Sequence, residues 1–162
     1  MNGICLALGS NMGNPAENIK KAYYLLNSKG IEIAKFSSFY KTEPYGLKEQ
    51  SDFINSVILA KTKLNLKDLF LVLKNIEKDM GREKTIKYGP RIIDIDIIYY
   101  NDLIYQDSSL TIPHPKMCER SFVLYPLAEI EPNILHPLLK KTALQLKNEL
   151  KNTLKIEKLD NV

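Results

Sequence analysis

The chain has 162 residues and a mass of 18.6 kDa, a size that suits one domain, and we expect residues 1–162 to fold as a single unit. The net charge of +4 favours anionic ligands without demanding nucleic acid. The two cysteines lack metal-ligand spacing, and no apolar stretch approaches the roughly 18 residues of a membrane span, so we expect a soluble, cytoplasmic protein.

Strand and helix patterns alternate along the first 100 residues. The expected order is a strand (4–8), a helix opened by Asn14 or Pro15 and closed by Gly30, two strands (31–40 and 53–60), a helix up to Gly81, and a strand ending near Ile98. This β-α-β-β-α-β order predicts an α+β fold, a ferredoxin-like sandwich with helices over one face of a mostly antiparallel sheet.

The remaining residues elaborate this fold at the C-terminus. We expect short edge strands within 103–112, a short helical or turn region at 119–130, a helix at 142–151 and a final strand at 154–158.

A carboxylate pair lies in the strand that follows Gly89 and Pro90. Alternation along a strand places Asp94 and Asp96 on one face, about two steps of 3.3 Å apart, and the neighbouring isoleucines on the other. Such a pair is typical of a magnesium site, but antiparallel sheets often have a solvated, charged face. The pattern alone leaves both interpretations open.

Four cations lie in the loop before this strand: Arg82, Lys84, Lys87 and Arg91. Most charge runs are solvated surface, but cations next to a carboxylate pair suit a metal-bound polyphosphate. The sequence has no G-x-x-x-x-G-K-[ST] loop, so a nucleotide would be held by metal and side-chain cations.

Two further clusters are candidate binding residues. His114, between two prolines, is followed by Arg120 and Phe122, and this group could contact phosphate. Thr42, Pro44, Tyr45, Phe53 and Asn55 offer aromatic rings and an amide for a flat heterocycle, although by composition alone a core Phe and a turn Asn are the more ordinary interpretation. We interpret the segment Gly9–Gly13 as an ordinary strand-to-helix turn.

Taken together, these segments resemble the 6-hydroxymethyl-7,8-dihydropterin pyrophosphokinases of the folate pathway. The resemblance rests on motifs in order along the chain: Leu8-Gly9-Ser10-Asn11, Ser38-Phe39-Tyr40-x-Thr42-x-Pro44-x-Gly46, Gly89-Pro90-Arg91-x-x-Asp94-x-Asp96, Pro113-His114-Pro115, Arg120-x-Phe122-Val123-Leu124 and Pro126-Leu127.

The resemblance implies transfer of pyrophosphate from ATP to the hydroxymethyl group of a reduced pterin, with AMP as the second product. It implies that Asp94 and Asp96 hold two Mg²⁺ ions and that Arg82 and Arg91 are catalytic. The implied ATP-binding residues are Glu77, Lys84, Tyr88, His114 and Arg120. The implied pterin-binding residues are Thr42, Pro44, Tyr45, Phe53, Asn55 and Phe122.

Three positions depart from the family pattern, which often has Arg, Trp and Pro where this chain has Lys84, Tyr88 and Ser51. Lysine keeps the charge but loses the planar fork of arginine. We also consider two rival functions, a magnesium-dependent phosphodiesterase or nuclease, and a non-enzymatic ligand- or RNA-binding module. We expect small-molecule substrates, no nucleic acid or membrane partner, and a monomer or weak homodimer.

Overall fold

A computed structural model describes residues 1–44, 46–83, 86–151 and 154–160. Its strands are β1 (Asn2–Ser10), β2 (Ile31–Phe36), β3 (Phe39–Thr42), β4 (Phe53–Thr62), β5 (Asp94–Tyr100), β6 (Tyr105–Gln106), β7 (Thr111–Ile112) and β8 (Ile156–Leu159). Its helices are α1 (Pro15–Ser28), α2 (Leu66–Asp79), α3 (Ser121–Ile130) and α4 (Ala143–Asn148), with a 3₁₀ turn at Met117–Glu119.

The main sheet has the order β5-β1-β4-β3-β8, and β2 also pairs with β4. All of these pairs are antiparallel. With β2 and β3 counted as one bent strand, the first four strands have the ferredoxin-like arrangement, which confirms the predicted fold class. Strands β6 and β7 form a separate two-stranded sheet.

Helix α1 begins and ends, and helix α2 ends, where the sequence predicts. Asn14 and Asn65 cap them by accepting hydrogen bonds from the main-chain N–H groups of Glu17 and Asp68. Gly30 and Gly81 follow the two helices with φ of +80° and +92°, a conformation that glycine adopts without steric cost. Both helices pack on the sheet face formed by side chains such as Leu6.

Helices α3 and α4, in the part of the chain expected to elaborate the fold, cover the opposite sheet face. Cys5, Val57 and Tyr99 point to that side and are buried with Leu124 and Leu127 of α3. The central strands carry apolar residues on both faces of the sheet. Burying the second face therefore requires a second helical layer. In the described ranges, no helix is long and apolar enough to cross a bilayer.

Two strand boundaries differ from the predicted ones. The predicted strand 31–40 divides at Ser37, whose hydroxyl accepts a hydrogen bond from the Val57 N–H at 3.0 Å in place of a main-chain acceptor. The strand predicted from Gly89 begins only at Asp94. Residues 89–93 therefore form a connection, and the carboxylate pair lies at the start of β5.

Candidate active site

A cleft of about 290 Å³ lies where β1, β3, β4 and β5 approach the loops before and after β5. It brings together most of the predicted site residues that the structure describes. Those lining it are Thr42, Phe53, Asn55, Arg82, Tyr88, Arg91, Asp94, Asp96, His114, Arg120 and Phe122. Tyr45 and Lys84 lie outside the described residues, and Pro44 is buried beside the cleft without lining it.

Asp94 and Asp96 lie opposite Gly9 and Ala7 of β1, on the same face of β5. The small size of these two partners leaves the carboxylates open to the cleft. Burial and, second, the negative charge of Asp94 raise the pKa of Asp96 to about 7. The pair therefore carries an electrostatic cost that a bound cation would relieve.

Three arginines surround the carboxylate pair. Arg82 Nη1 lies 2.8 Å from Asp94 Oδ1, and Arg91 Nη1 lies 3.5 Å from the same oxygen. Arg120 Nη1 lies 3.8 Å from Asp96 Oδ2, while its buried Nε has no hydrogen-bond partner among the described residues. Guanidinium groups in this arrangement can bind the oxygens of a polyphosphate in pairs.

Glu77 is buried and does not line the cleft. Its carboxylate forms a close ion pair with Arg82, accepts the Ile95 N–H at 2.9 Å and lies 3.2 Å from Lys74 Nζ. These contacts join α2 to β5 and hold Arg82 beside Asp94. Its predicted nucleotide contact stays a prediction.

His114 is held as a neutral imidazole. Burial and, second, the charge of Arg120 lower its pKa to about 4. Its Nδ1 accepts a hydrogen bond from the Lys116 N–H at 3.1 Å, so the proton is on Nε2, which lies 3.8 Å from Asp96 Oδ2. His114 therefore offers the cleft an N–H donor without a charge.

The donor set of the cleft fits magnesium. Residues 1–44, 46–83, 86–151 and 154–160 contain no cluster of three or more His, Cys, Asp or Glu side chains that could hold a metal ion. Magnesium needs no such group, because it is commonly bound by one or two carboxylates together with substrate phosphates and water. Asp94 and Asp96 match that requirement.

At the other end of the cleft, β3 and β4 present polar and aromatic side chains. Asn55 Nδ2 donates a hydrogen bond to Thr42 Oγ1 at 2.7 Å, which fixes the orientation of the amide. A Cβ atom at Gly9 would lie 3.0 Å from Asn55 Oδ1, so the glycine leaves room for that oxygen. Phe53 and Phe122 also line the cleft and provide apolar surface for a flat ring.

Asn11 joins the two loops around the cleft, a role that we did not predict. Its Oδ1 accepts the Arg91 N–H at 2.8 Å, and its Nδ2 donates to Gln50 Oε1 at 2.8 Å and to the Ser51 carbonyl at 3.0 Å. Gln50 Nε2 in turn donates to the carbonyl of Tyr88 at 2.6 Å. The segment Gly9–Gly13 is thus more than an ordinary turn.

A second cavity of about 480 Å³ adjoins the cleft, between α2 and the β6–β7 hairpin. The two share Lys74, Asp96 and His114, and the second cavity adds apolar walls such as Phe70 and Ile97. Phe70 and Lys74 were not among the predicted site residues. The signal was available, because helical spacing places them on one face of α2 with Glu77.

The sequence and the fold of this chain are similar to those of known proteins. A sequence model of the family described as 7,8-dihydro-6-hydroxymethylpterin-pyrophosphokinase (HPPK) matches residues 5–132. The chain belongs to this family. Family membership makes it an ATP-dependent diphosphotransferase and confirms the predicted family.

Two bacterial relatives are both named 2-amino-4-hydroxy-6-hydroxymethyldihydropteridine pyrophosphokinase. The chain is 43% identical to the one from Aquifex aeolicus over 152 residues, which cover 94% of this chain and 93% of the relative. It is 40% identical to the one from Bacillus subtilis over 132 residues, which cover 80% of this chain and 79% of the relative.

A crystal structure of Plasmodium falciparum HPPK-DHPS has a similar fold, with a TM-score of 0.70 and 19% sequence identity. The match covers 92% of this chain and 43% of that one, so this chain spans less than half of the Plasmodium protein.

Proposed function

We propose that this protein transfers the pyrophosphoryl group of ATP to 6-hydroxymethyl-7,8-dihydropterin in folate biosynthesis. The hydroxymethyl oxygen forms a bond to the β-phosphorus, and the bond from that phosphorus to the oxygen bridging to the α-phosphate breaks. The electron pair stays on the bridging oxygen, which leaves with AMP, and the hydroxyl proton passes to solvent.

One observation supports this proposal most directly: the carboxylate pair, three arginines and the Thr42–Asn55 pair line one cleft. Phosphoryl-type transfer requires little covalent chemistry from the protein, so positioning and charge neutralisation supply most of the rate. The cleft offers cations for a polyphosphate at one end and hydrogen-bonding and aromatic groups for a heterocycle at the other.

We assign the arginines and His114 to the phosphates. Arg82 and Arg91 lie beside Asp94 and would bind the transferring group, while Arg120 and the His114 N–H would bind phosphate oxygens near Asp96. The adenosine would enter the second cavity, because that cavity meets the cleft at His114 and Asp96. Lys84 and Tyr88 would contact ATP from the loop.

Asp94 and Asp96 would hold two Mg²⁺ ions. When bound there, magnesium would neutralise phosphate oxygens and acidify the pterin hydroxyl, so the protein needs no strong general base.

We assign the end of the cleft around β3 and β4 to the pterin. Asn55 offers donors and an acceptor to the ring edge, with Thr42 holding its amide and Phe53 and Phe122 contacting the ring faces. Pro44 and Tyr45 would shape the loop on the same side. We further propose that the protein is cytoplasmic and acts without nucleic-acid partners. We also propose that it is a monomer or weak homodimer, and sedimentation with and without both substrates can test this oligomeric state.

The deciding assay uses purified protein, ATP, magnesium and the hydroxymethyl-dihydropterin, and follows AMP and the pterin diphosphate. We expect both products in equal amounts and only with pterin present. AMP formed equally without pterin would instead indicate a hydrolase, and no AMP at all would refute the assignment.

A further inference from the structure

The C-terminal strand β8 lies beside the pterin end of the cleft. It pairs with β3 along Phe39–Thr42, and its residue Ile156 lies opposite Thr42. The family match ends at residue 132, so β8 belongs to the part of the chain that lies outside that match. Strand β3 thus lies between β4, which carries Phe53 and Asn55, and β8.

Glu43 connects this strand to the cleft with two hydrogen bonds. The Lys155 N–H donates to Glu43 Oε1 at 3.1 Å, and the Glu43 N–H donates to the Lys155 carbonyl at 3.3 Å. Glu43 itself lines the cleft, between Thr42 and the buried Pro44. The side chain accepts the bond that a main-chain carbonyl would accept in a continuing ladder.

A second set of contacts keeps β8 in register. Lys158 Nζ lies 3.0 Å from Glu129 Oε2 on α3, and the same carboxylate accepts the hydroxyl of Tyr40 at 3.0 Å. Strand β8 is therefore attached to both β3 and α3, so its position is determined independently of the loop that follows Thr42.

We propose that Glu43 is a positioning residue that uses β8 to hold the pterin-binding segment. This inference rests on the proposed function, because it assigns the β3 end of the cleft to the pterin. Thr42 orients Asn55, and Glu43 follows Thr42 directly, so freeing Glu43 from Lys155 would let the Thr42 hydroxyl and the Asn55 amide shift. Arg82, Arg91 and the carboxylates, at the ATP end of the cleft, form their ion pairs with one another and with Glu77, His114 and Arg120, not with Lys155.

Three full-length variants test the proposal. Glu43→Ala removes the acceptor, Glu43→Gln keeps an amide oxygen in its place, and Lys155→Pro removes the N–H donor without altering Glu43. Proline is tolerated at the start of an edge strand. Glu157→Ala, at an exposed position in β8, is the matched control.

We expect Glu43→Ala and Lys155→Pro each to raise the KM for pterin about three- to tenfold, the effect of losing about one net hydrogen bond. The KM for ATP and kcat should stay within about twofold, and Glu43→Gln should resemble the parent. Combining Glu43→Ala with Lys155→Pro should add little, since both remove one bond.

Hydrogen exchange provides a readout that does not depend on activity. Amides of residues 40–43 should exchange faster in Glu43→Ala and Lys155→Pro and at the parent rate in the Glu157→Ala control. Unchanged exchange, an equal rise in the KM for ATP, or a Glu43→Gln variant as impaired as Glu43→Ala would overturn the proposal. A parent protein that does not bind pterin would refute the proposed function, whereas the exchange result would still test the link to β8.

Discussion

Arg82 Nη1 lies 2.8 Å from Asp94 Oδ1 while the same guanidinium pairs with the buried Glu77. Arg82 therefore balances the charge of Asp94 at the mouth of the cleft. For this cation to bind a transferring phosphoryl group, it must move from Asp94 towards the phosphate. Its strongest contact with substrate would then form during the chemical step, and such contacts raise kcat more than they tighten binding.

Arg82→Ala should consequently lower kcat by about 100-fold or more, in the range measured for single groups that stabilise developing charge. The Kd for ATP should rise less than about threefold. Single-turnover kinetics together with equilibrium ATP binding separate the two effects. Lys87→Ala, from an exposed position in the same loop, is the control; a loss of ATP affinity with an unchanged rate would reassign Arg82 to ground-state binding.

Asp96→Asn should abolish turnover and at the same time stabilise the metal-free protein at high pH. Because the pKa of Asp96 is raised to about 7 in the folded state, its contribution to stability is lost as pH rises from about 4 through 7. Asparagine does not ionise, so its advantage in melting temperature should grow across that range. Melting curves in EDTA at pH 4 to 8 measure this, and equal shifts at every pH would contradict it.

Gly46→Ala should loosen the contact between the loop that follows β3 and the loop before β5. Gly46 has a φ of +82°, and an added Cβ would lie 2.7 Å from Tyr88 Cδ2. Gly30 has a φ of +80°, and within the part of the chain that the structure describes no atom lies within 4 Å of the corresponding Cβ, so Gly30→Ala measures backbone strain alone.

We expect Gly30→Ala to cost about 1 kcal/mol in the free energy of unfolding. Gly46→Ala should cost more unfolding free energy, because the whole Tyr88 side chain must move away from the added Cβ. It should also raise the KM values for both substrates. Adding Tyr88→Ala removes Cδ2 and Cγ but keeps the Tyr88 Cβ that would lie 3.2 Å from the new atom, so it should remove most, but not all, of the extra unfolding cost of Gly46→Ala. If the two alanine variants already match in stability and KM, the contact does not constrain the loops.

Asn11→Ala should destabilise the protein by about 1 to 3 kcal/mol, because it leaves the Arg91 N–H and the Ser51 carbonyl without their partner. Asn11→Asp keeps the acceptor for Arg91 but loses the donor to Gln50 and Ser51. We therefore expect the aspartate variant to keep kcat closer to that of the parent and to raise mainly the KM for pterin. Urea denaturation and steady-state kinetics check both effects, and identical kinetics for the two variants would argue against separate roles.

The sequence predicted the parts of the fold that depend on local patterns. Alternation in β5 placed Asp94 and Asp96 on one face with Ile95 on the other, because a strand has a period of two residues. The cap at Asn14 and the glycine after each helix are likewise set within a few residues. These signals lie within one segment of chain.

The features that the sequence did not predict depend on residues far apart in the chain. The hydrogen bond of Asn11 to Arg91 spans 80 residues, and that of Glu43 to Lys155 spans 112. No local period encodes such a partner. The second helical layer was missed for a related reason: the strands are apolar on both faces, but which helices cover the second face depends on residues after position 120, far along the chain.

Glu129→Gln tests the attachment of β8 through its pH dependence. Burial raises the pKa of Glu129, but hydrogen bonds from the Ser38 N–H, Lys158 and Tyr40 outweigh it and leave the pKa below its ordinary value of 4.5. A carboxylate with a lowered pKa contributes stability that is present above its unfolded pKa and is lost as pH falls through the folded one. The variant should therefore be about 1 to 2 kcal/mol less stable than the parent at pH 7.

That difference in the free energy of unfolding should shrink steadily below pH 4.5 as Glu129 of the parent becomes protonated. Urea denaturation at pH 7 and between pH 3 and 5 measures it, with Glu157→Gln as the control on β8; a difference that stays constant with pH would show that the charge of Glu129 does not attach the strand.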